Sequence, residues 1–267
     1  VIPASNSTSL FEVSQADGTA VLSVDTTNAR VGIGTASPNY NLEVKGDDLP
    51  TISLVYDQSD TDIDNDETLG RIFFHGLDAS ATQKIGASIV AQADGNWTAN
   101  DNNAPTRLEF YTQDGSDSST LGTPRMTIED GGNVGIGNTA PGSNLEVSAV
   151  SADSTIEISS FSATNSHTGI LKFTKGSTGT LNTFSDDADN AEALGRIEVW
   201  GSRDDGAQVN CANIQFVADL ASDSDSVPSA IAFEVSDSDD ASNPTERMRI
   251  KNAGNDGIGT DTPDHYL

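Results

Sequence analysis

The chain has a single cysteine, Cys211, in 267 residues, so neither an intrachain disulfide nor a thiolate metal cluster can brace it. Cationic side chains are nearly as scarce: 13 Lys and Arg stand against 41 Asp and Glu, for a formal net charge of −28. That balance excludes a nucleic-acid groove, which needs a basic stripe to replace the counterions on phosphate. It also argues against an anionic membrane surface. No apolar run approaches the roughly 20 residues of a membrane helix. Hydrophobic residues make up 35% and aromatics 6%, below the usual globular share, so any core is small. There is no initiator Met and no basic-then-apolar leader, and the chain reads as a piece of a longer polypeptide.

What is abundant is Ser, Thr, Asn, Asp and Gly, arranged around a repeated motif. Val31-Gly32-Ile33-Gly34-Thr35-Ala36-Ser37-Pro38 leads to Asn41-Leu42-Glu43-Val44. It returns as Val134-Gly135-Ile136-Gly137-Asn138-Thr139-Ala140-Pro141, leading to Asn144-Leu145-Glu146-Val147, and starts again as Gly257-Ile258-Gly259-Thr260 with Pro263. From 31 to 134 is 103 residues and from 134 to 256 is 122, the period of a small domain rather than of a solenoid coil. Disorder would not hold alternating apolar pairs in register across copies. Branched residues alternating with glycine put two side chains on one face of a strand and bare backbone on the other, where something is expected to pack closely. Proline then ends the strand.

The run Arg125-Met126-Thr127-Ile128, Gly132-Asn133, Val134-Gly135-Ile136-Gly137, Pro141 recurs as Arg247-Met248-Arg249-Ile250, Gly254-Asn255, Gly257-Ile258-Gly259-Thr260, Pro263. This pattern resembles the repeat region of bacteriophage tail fibres, of the kind often found upstream of an endosialidase-type intramolecular chaperone. The resemblance covers nearly the whole chain. It implies a homotrimer, other tail proteins as partners and a place on the virion tail, outside the cell. Asp256 departs from it, standing where the first two copies have Val31 and Val134.

Strands are expected at Thr51 to Tyr56, Leu69 to His75, Lys84 to Ala91, Arg107 to Thr112 and Arg125 to Ile128, with turns at Asp94-Gly95 and Asp114-Gly115. The second copy repeats the order. Leu69-Gly70-Arg71-Ile72 returns 125 residues on as Leu194-Gly195-Arg196-Ile197, and Pro105 returns 123 on as Pro228. The fold expected is all-β, with tandem small modules, sandwich or interwoven prism, joined by Gly-rich necks in an elongated trimeric fibre. Its parts are the end of a preceding repeat plus neck (1–48), a first module (49–130), a neck (131–148), a second module (149–252) and the start of a third neck (253–267). Arg71 and Arg196 are expected to make the same contact in both modules.

Gly32-x-Gly34 lacks the third glycine and the following helix of a dinucleotide fingerprint. Asp60, Asp62, Asp64 and Asp66 would share one face of an extended chain about 6.6 Å apart and form a weak divalent-cation candidate, but Asn65 and Arg71 stand where an EF-hand needs Gly and Glu. A solvated acidic loop is the plainer reading. Trp97 and Trp200 could stack on sugars, although large aromatics are more often structural anchors. His75 falls where the second copy has Trp200, so it is no shared catalytic base. No catalytic residue and no cofactor-binding residue is assigned. With 41 acidic residues every carboxylate spacing occurs, so glycosidase pairs carry no signal.

The function expected is a structural fibre segment that extends and supports a host-receptor-binding tip. Its neck residues Val31, Gly32, Ile33, Gly34, Val134, Gly135, Ile136, Gly137, Gly257, Ile258 and Gly259 would let three backbones meet at an axis. The alternatives are a glycan-binding adhesin module, with polar loops at 96–103 or 222–226 meeting host-surface glycan, a polysaccharide depolymerase, and a subunit of a bacterial or environmental surface filament.

Overall fold

The computed structural model describes residues 5–8, 10–57, 62–98, 102–114, 121–150, 152–160, 168–175, 192–220, 226–237 and 244–260. Among these there are fifteen strands and no helix, hence none long and apolar enough to cross a membrane. The chain divides into two units, Val1–Ile156 and Glu157–Leu267.

The first unit holds two sheets. One is β1 (Phe11–Ser14), β2 (Ala20–Asp25), β3 (Arg30–Ile33) and β4 (Leu42–Val44), hydrogen-bonded in that order. The other runs from β5 (Thr68–Leu77) through β6 (Gln83–Ala93), β7 (Thr106–Thr112), β8 (Met126–Ile128) and β9 (Val134–Ile136) to β10 (Leu145–Val147). Neighbours are antiparallel except at the closing pairs, β3 with β4 and β9 with β10, which are parallel. The second unit repeats the pattern as β11 (Ala193–Ser202), β12 (Gln208–Ala218), β13 (Ser229–Val235), β14 (Thr245–Ile250) and β15 (Asp256–Ile258). The first sheet thus has the order of the last four strands of the second, as expected of the tail of an earlier repeat.

No strand of the first sheet touches a strand of the second, so within this unit the sandwich alternative fails and each sheet is a single layer. The motif residues do not form separate linkers. They make the last strands of the sheets.

Thr51 to Tyr56 is not a strand. Residues 50–57 run without turn, bend or ladder although their alternation suits a sheet: Leu54 rests against Gly70 of β5, but no backbone hydrogen bond joins the segment to a described strand.

Candidate assembly face

Each closing parallel pair is joined by only eight residues, Gly34 to Asn41 in the first copy, so the connection must cross a face of its own sheet. A parallel crossover is normally longer, and the glycines explain how this one fits. A Cβ on Gly32 would stand 2.3 Å from the Thr35 carbonyl oxygen, and one on Gly135 2.1 Å from that of Asn138. Gly34, Gly137 and Gly259 have φ of 74°, 72° and 72°, a region that side chains rarely occupy. The bare backbone therefore admits the chain's own crossover. This corrects the expectation that Gly32, Gly34, Gly135 and Gly137 leave space for neighbouring chains.

The crossover is pinned alike in both complete copies. Pro38 O accepts from Arg30 Nη1 at 2.8 Å, and Pro141 O from Asn133 Nδ2 at 3.0 Å. Glu43 accepts from the Asn39 N–H, and Glu146 from the Gly142 N–H. Glu146 also accepts from the Ser148 hydroxyl and the Asn138 amide, both at 2.7 Å. The Ser148 hydroxyl first, then the Gly142 N–H and Asn138, hold its carboxyl below the usual range.

With the crossover on one face, the motif's branched side chains fall on the other. Val31 and Ile33 join the cross-strand rows Phe11, Val24, Val31, Leu42 and Val13, Leu22, Ile33, Val44. In the second sheet the rows are Gly70, Ala91, Leu108, Ile128, Val134, Leu145 and Ile72, Ile89, Phe110, Met126, Ile136, Val147. In the third, Ile258 ends the row Ile197, Ile214, Phe233, Met248, Ile258. Asp256 ends the neighbouring row, a carboxylate beside Ile250. Apart from Asp256, these rows hold no charged residue.

This apolar face is open. Ile72 is 52% exposed, Leu145 59% and Ile258 70%. Among the described residues the fully buried apolar ones are five alanines and two valines, which is no core.

The opposite face is polar. Arg107 binds Glu109 at 2.9 Å, Asp94 at 3.1 Å and Asp66 at 2.6 Å. Burial opposes the guanidinium charge, but Glu109, Asp66 and Asp94 outweigh it and raise the pKa. Tyr111 donates to Glu109 at 2.5 Å, and burial and that bond raise its pKa. Sequence comparison between copies could not have found this cluster, since Arg107 corresponds to Ala230 in the second.

Asp66 is therefore engaged and sits at φ 70°, so the acidic ladder does not stay on one face. Among the described residues no three potential ligands gather to hold a metal. Asp60 lies outside the described residues, as do Pro263, Gly115 and two of the three histidines. Asp62 and Asp64 sit in the loop that Trp97 pins. The Trp97 N–H bonds Ile63 O and its indole donates to Pro105 O at 3.0 Å, an anchor role. Trp200 is 54% exposed, with its indole N–H on Glu198 at 2.7 Å.

Arg71 and Arg196 do not share a contact. Arg71 bonds Thr68 and lies over Phe73, 5.5 Å from the ring centre. Arg196 pairs with Glu198, because Glu198 stands where the first copy has Phe73. Other repeated positions do agree. Arg125 pairs with Asp114 and Arg247 with Asp237. Asp94 accepts from the Asp130 N–H, and Asp219 from that of Asn252.

The fold of this chain is similar to that of a phage tail fibre domain. The chain is similar to the carboxy-terminal domain of the bacteriophage T5 L-shaped tail fibre, at TM-score 0.65 and 14% identity, over 84% of this chain and 90% of that one. It is likewise similar to that domain with its intramolecular chaperone, at TM-score 0.59 and 14% identity, over 80% of this chain and 60% of that one. No family model and no curated protein matches the chain.

Proposed function

We propose that the chain is a structural segment of a phage tail fibre, assembling as a homotrimer through the apolar sheet faces and extending a host-receptor-binding tip away from the virion. Contact with other tail proteins and an extracellular place on the tail belong to the same reading. One observation supports it above the rest: every sheet presents an open apolar face nearly free of charge, and among the described residues only small apolar side chains are buried. With a net charge of −28 on each copy, association must proceed through uncharged surface.

Analytical ultracentrifugation tests this. The wild-type chain is expected at three times 27.8 kDa. Ile136→Asp, at a site already 43% exposed, places a charge on the face and should cost about 3 kcal/mol per chain, shifting the population towards monomer. A wild-type chain that sediments as a monomer at high concentration overturns the proposal.

A further inference from the structure

One position breaks the apolar face of the third sheet. Asp256 pairs with Ile250 on β14 and so stands on the same face as the row Gly195, Phe216, Ile231 and Ile250. The two earlier copies carry Val31 and Val134 there, in rows without charge. The rest of the strand keeps its frame, since Ile258 holds the place of Ile33 and Ile136 and is 70% exposed.

Nothing described on this face balances the carboxylate. Arg249, next to Ile250 in the strand, turns to the opposite face, where it pairs with Glu246 at 2.6 Å. Lys251 directs its ammonium to Asp219, 3.9 Å away. Of the other charged side chains on β13 and β14, Glu234 accepts from Asn213 and Arg247 pairs with Asp237. β12 carries no charged residue, and on β11 Arg196 and Glu198 pair with each other.

We propose that assembly through the apolar faces brings the Asp256 carboxylates of neighbouring copies together, and that the seam of the third sheet closes only as they take up protons. The inference rests on the assembly reading above and deepens it, giving one seam a dependence on acidity that the other two lack. In water the lone carboxylate is solvated. Between apolar faces it loses that water, and a second and third carboxylate beside it add repulsion. Protonated, the group is neutral and can donate its O–H to a neighbour's carboxyl oxygen. The assembled form then binds more protons than the separated chains, so association strengthens as pH falls. The seams of Val31 and Val134 hold no such group, and at neutral pH the third sheet is where the assembly opens first.

The test follows the full chain by sedimentation through graded urea at fixed chain concentration, in about 1 M salt to screen repulsion between the acidic surfaces. Wild type, Asp256→Asn and Asp256→Val are compared at pH 7 and about pH 5. At pH 7 Asp256→Val should associate about a hundredfold more tightly than wild type, because no charge is left to bury. Each proton taken up adds a factor of up to about ten per pH unit, so wild type should gain at least about tenfold on Asp256→Asn between the two conditions. Equal pH responses in wild type and Asp256→Asn, with trimers present, overturn the proton gate and leave the assembly reading intact. Wild type sedimenting as a monomer in both conditions overturns both. Calcium that tightens wild type at pH 7 but not Asp256→Asn would make the position a cation site, and that also overturns the gate.

Discussion

Gly137→Ala isolates the crossover closure. The new methyl would stand 2.2 Å from the Ser148 carbonyl oxygen, which is backbone and cannot swing aside. A φ of 72° adds about 1–2 kcal/mol for a residue with a Cβ. Relieving the clash displaces β10, which pairs with β9 over three residues only and is followed by the Ser148 N–H on Ile136 O at 2.9 Å. Losing one or two such bonds costs about 1 kcal/mol each, and the smaller unfolded-state entropy of alanine returns about 0.5 kcal/mol. The net is about 2–3 kcal/mol. Urea titration at fixed chain concentration should show it as a midpoint lowered by about 1–2 M. Trp97 fluorescence in a Trp200→Phe background would report on the first unit. Gly131→Ala, with nothing within 4 Å of its Cβ, should stay within about 0.5 kcal/mol. If Gly137→Ala unfolds at the midpoint of the Gly131 control, the crossover argument is wrong.

Three further outcomes are expected. Ala29 has φ 56° where the other copies have Gly132 at 84° and Gly254 at 82°, so Ala29→Gly should stabilise the first sheet by about 0.5–1 kcal/mol in thermal melts. Arg107→Ala leaves Glu109, 3% exposed, with the Tyr111 hydroxyl but without its opposite charge, and should destabilise the six-stranded sheet by about 3 kcal/mol in the same urea assay. Glu146 has a folded-state pKa below its ordinary 4.5, so its contribution is present above that value and fades as pH falls through the lowered one. Glu146→Gln should therefore be less stable than wild type at pH 7, with the two converging in acid; a gap that does not change with pH would refute the clamp.

The internal copying made much of the fold readable. Positions that return in the same order, such as Arg125 with Arg247 and Asp94 with Asp219, share a contact in both modules, and alternation at Val31 and Ile33 marked the apolar face. The glycines misled because alternation shows that one face is bare without showing what fills it. Arg71 and Arg196 misled because their partner is set two residues on, at Phe73 and Glu198, where the copies differ. Thr51 to Tyr56 has strand chemistry but no hydrogen-bonded partner among the described strands, and pairing is a property of neighbours rather than of propensity. Arg107 gave no signal because a cluster present in a single copy leaves no echo in the other.

The crossover turns have a bearing on how such a gene can grow. Their clamps, from Arg30 and Glu43 or from Asn133 and Glu146, are satisfied within one stretch of polypeptide, so cutting and rejoining between two turns orphans no partner. Whole repeats can then be gained or lost by recombination in a single event, and the length of the array becomes adjustable in discrete steps.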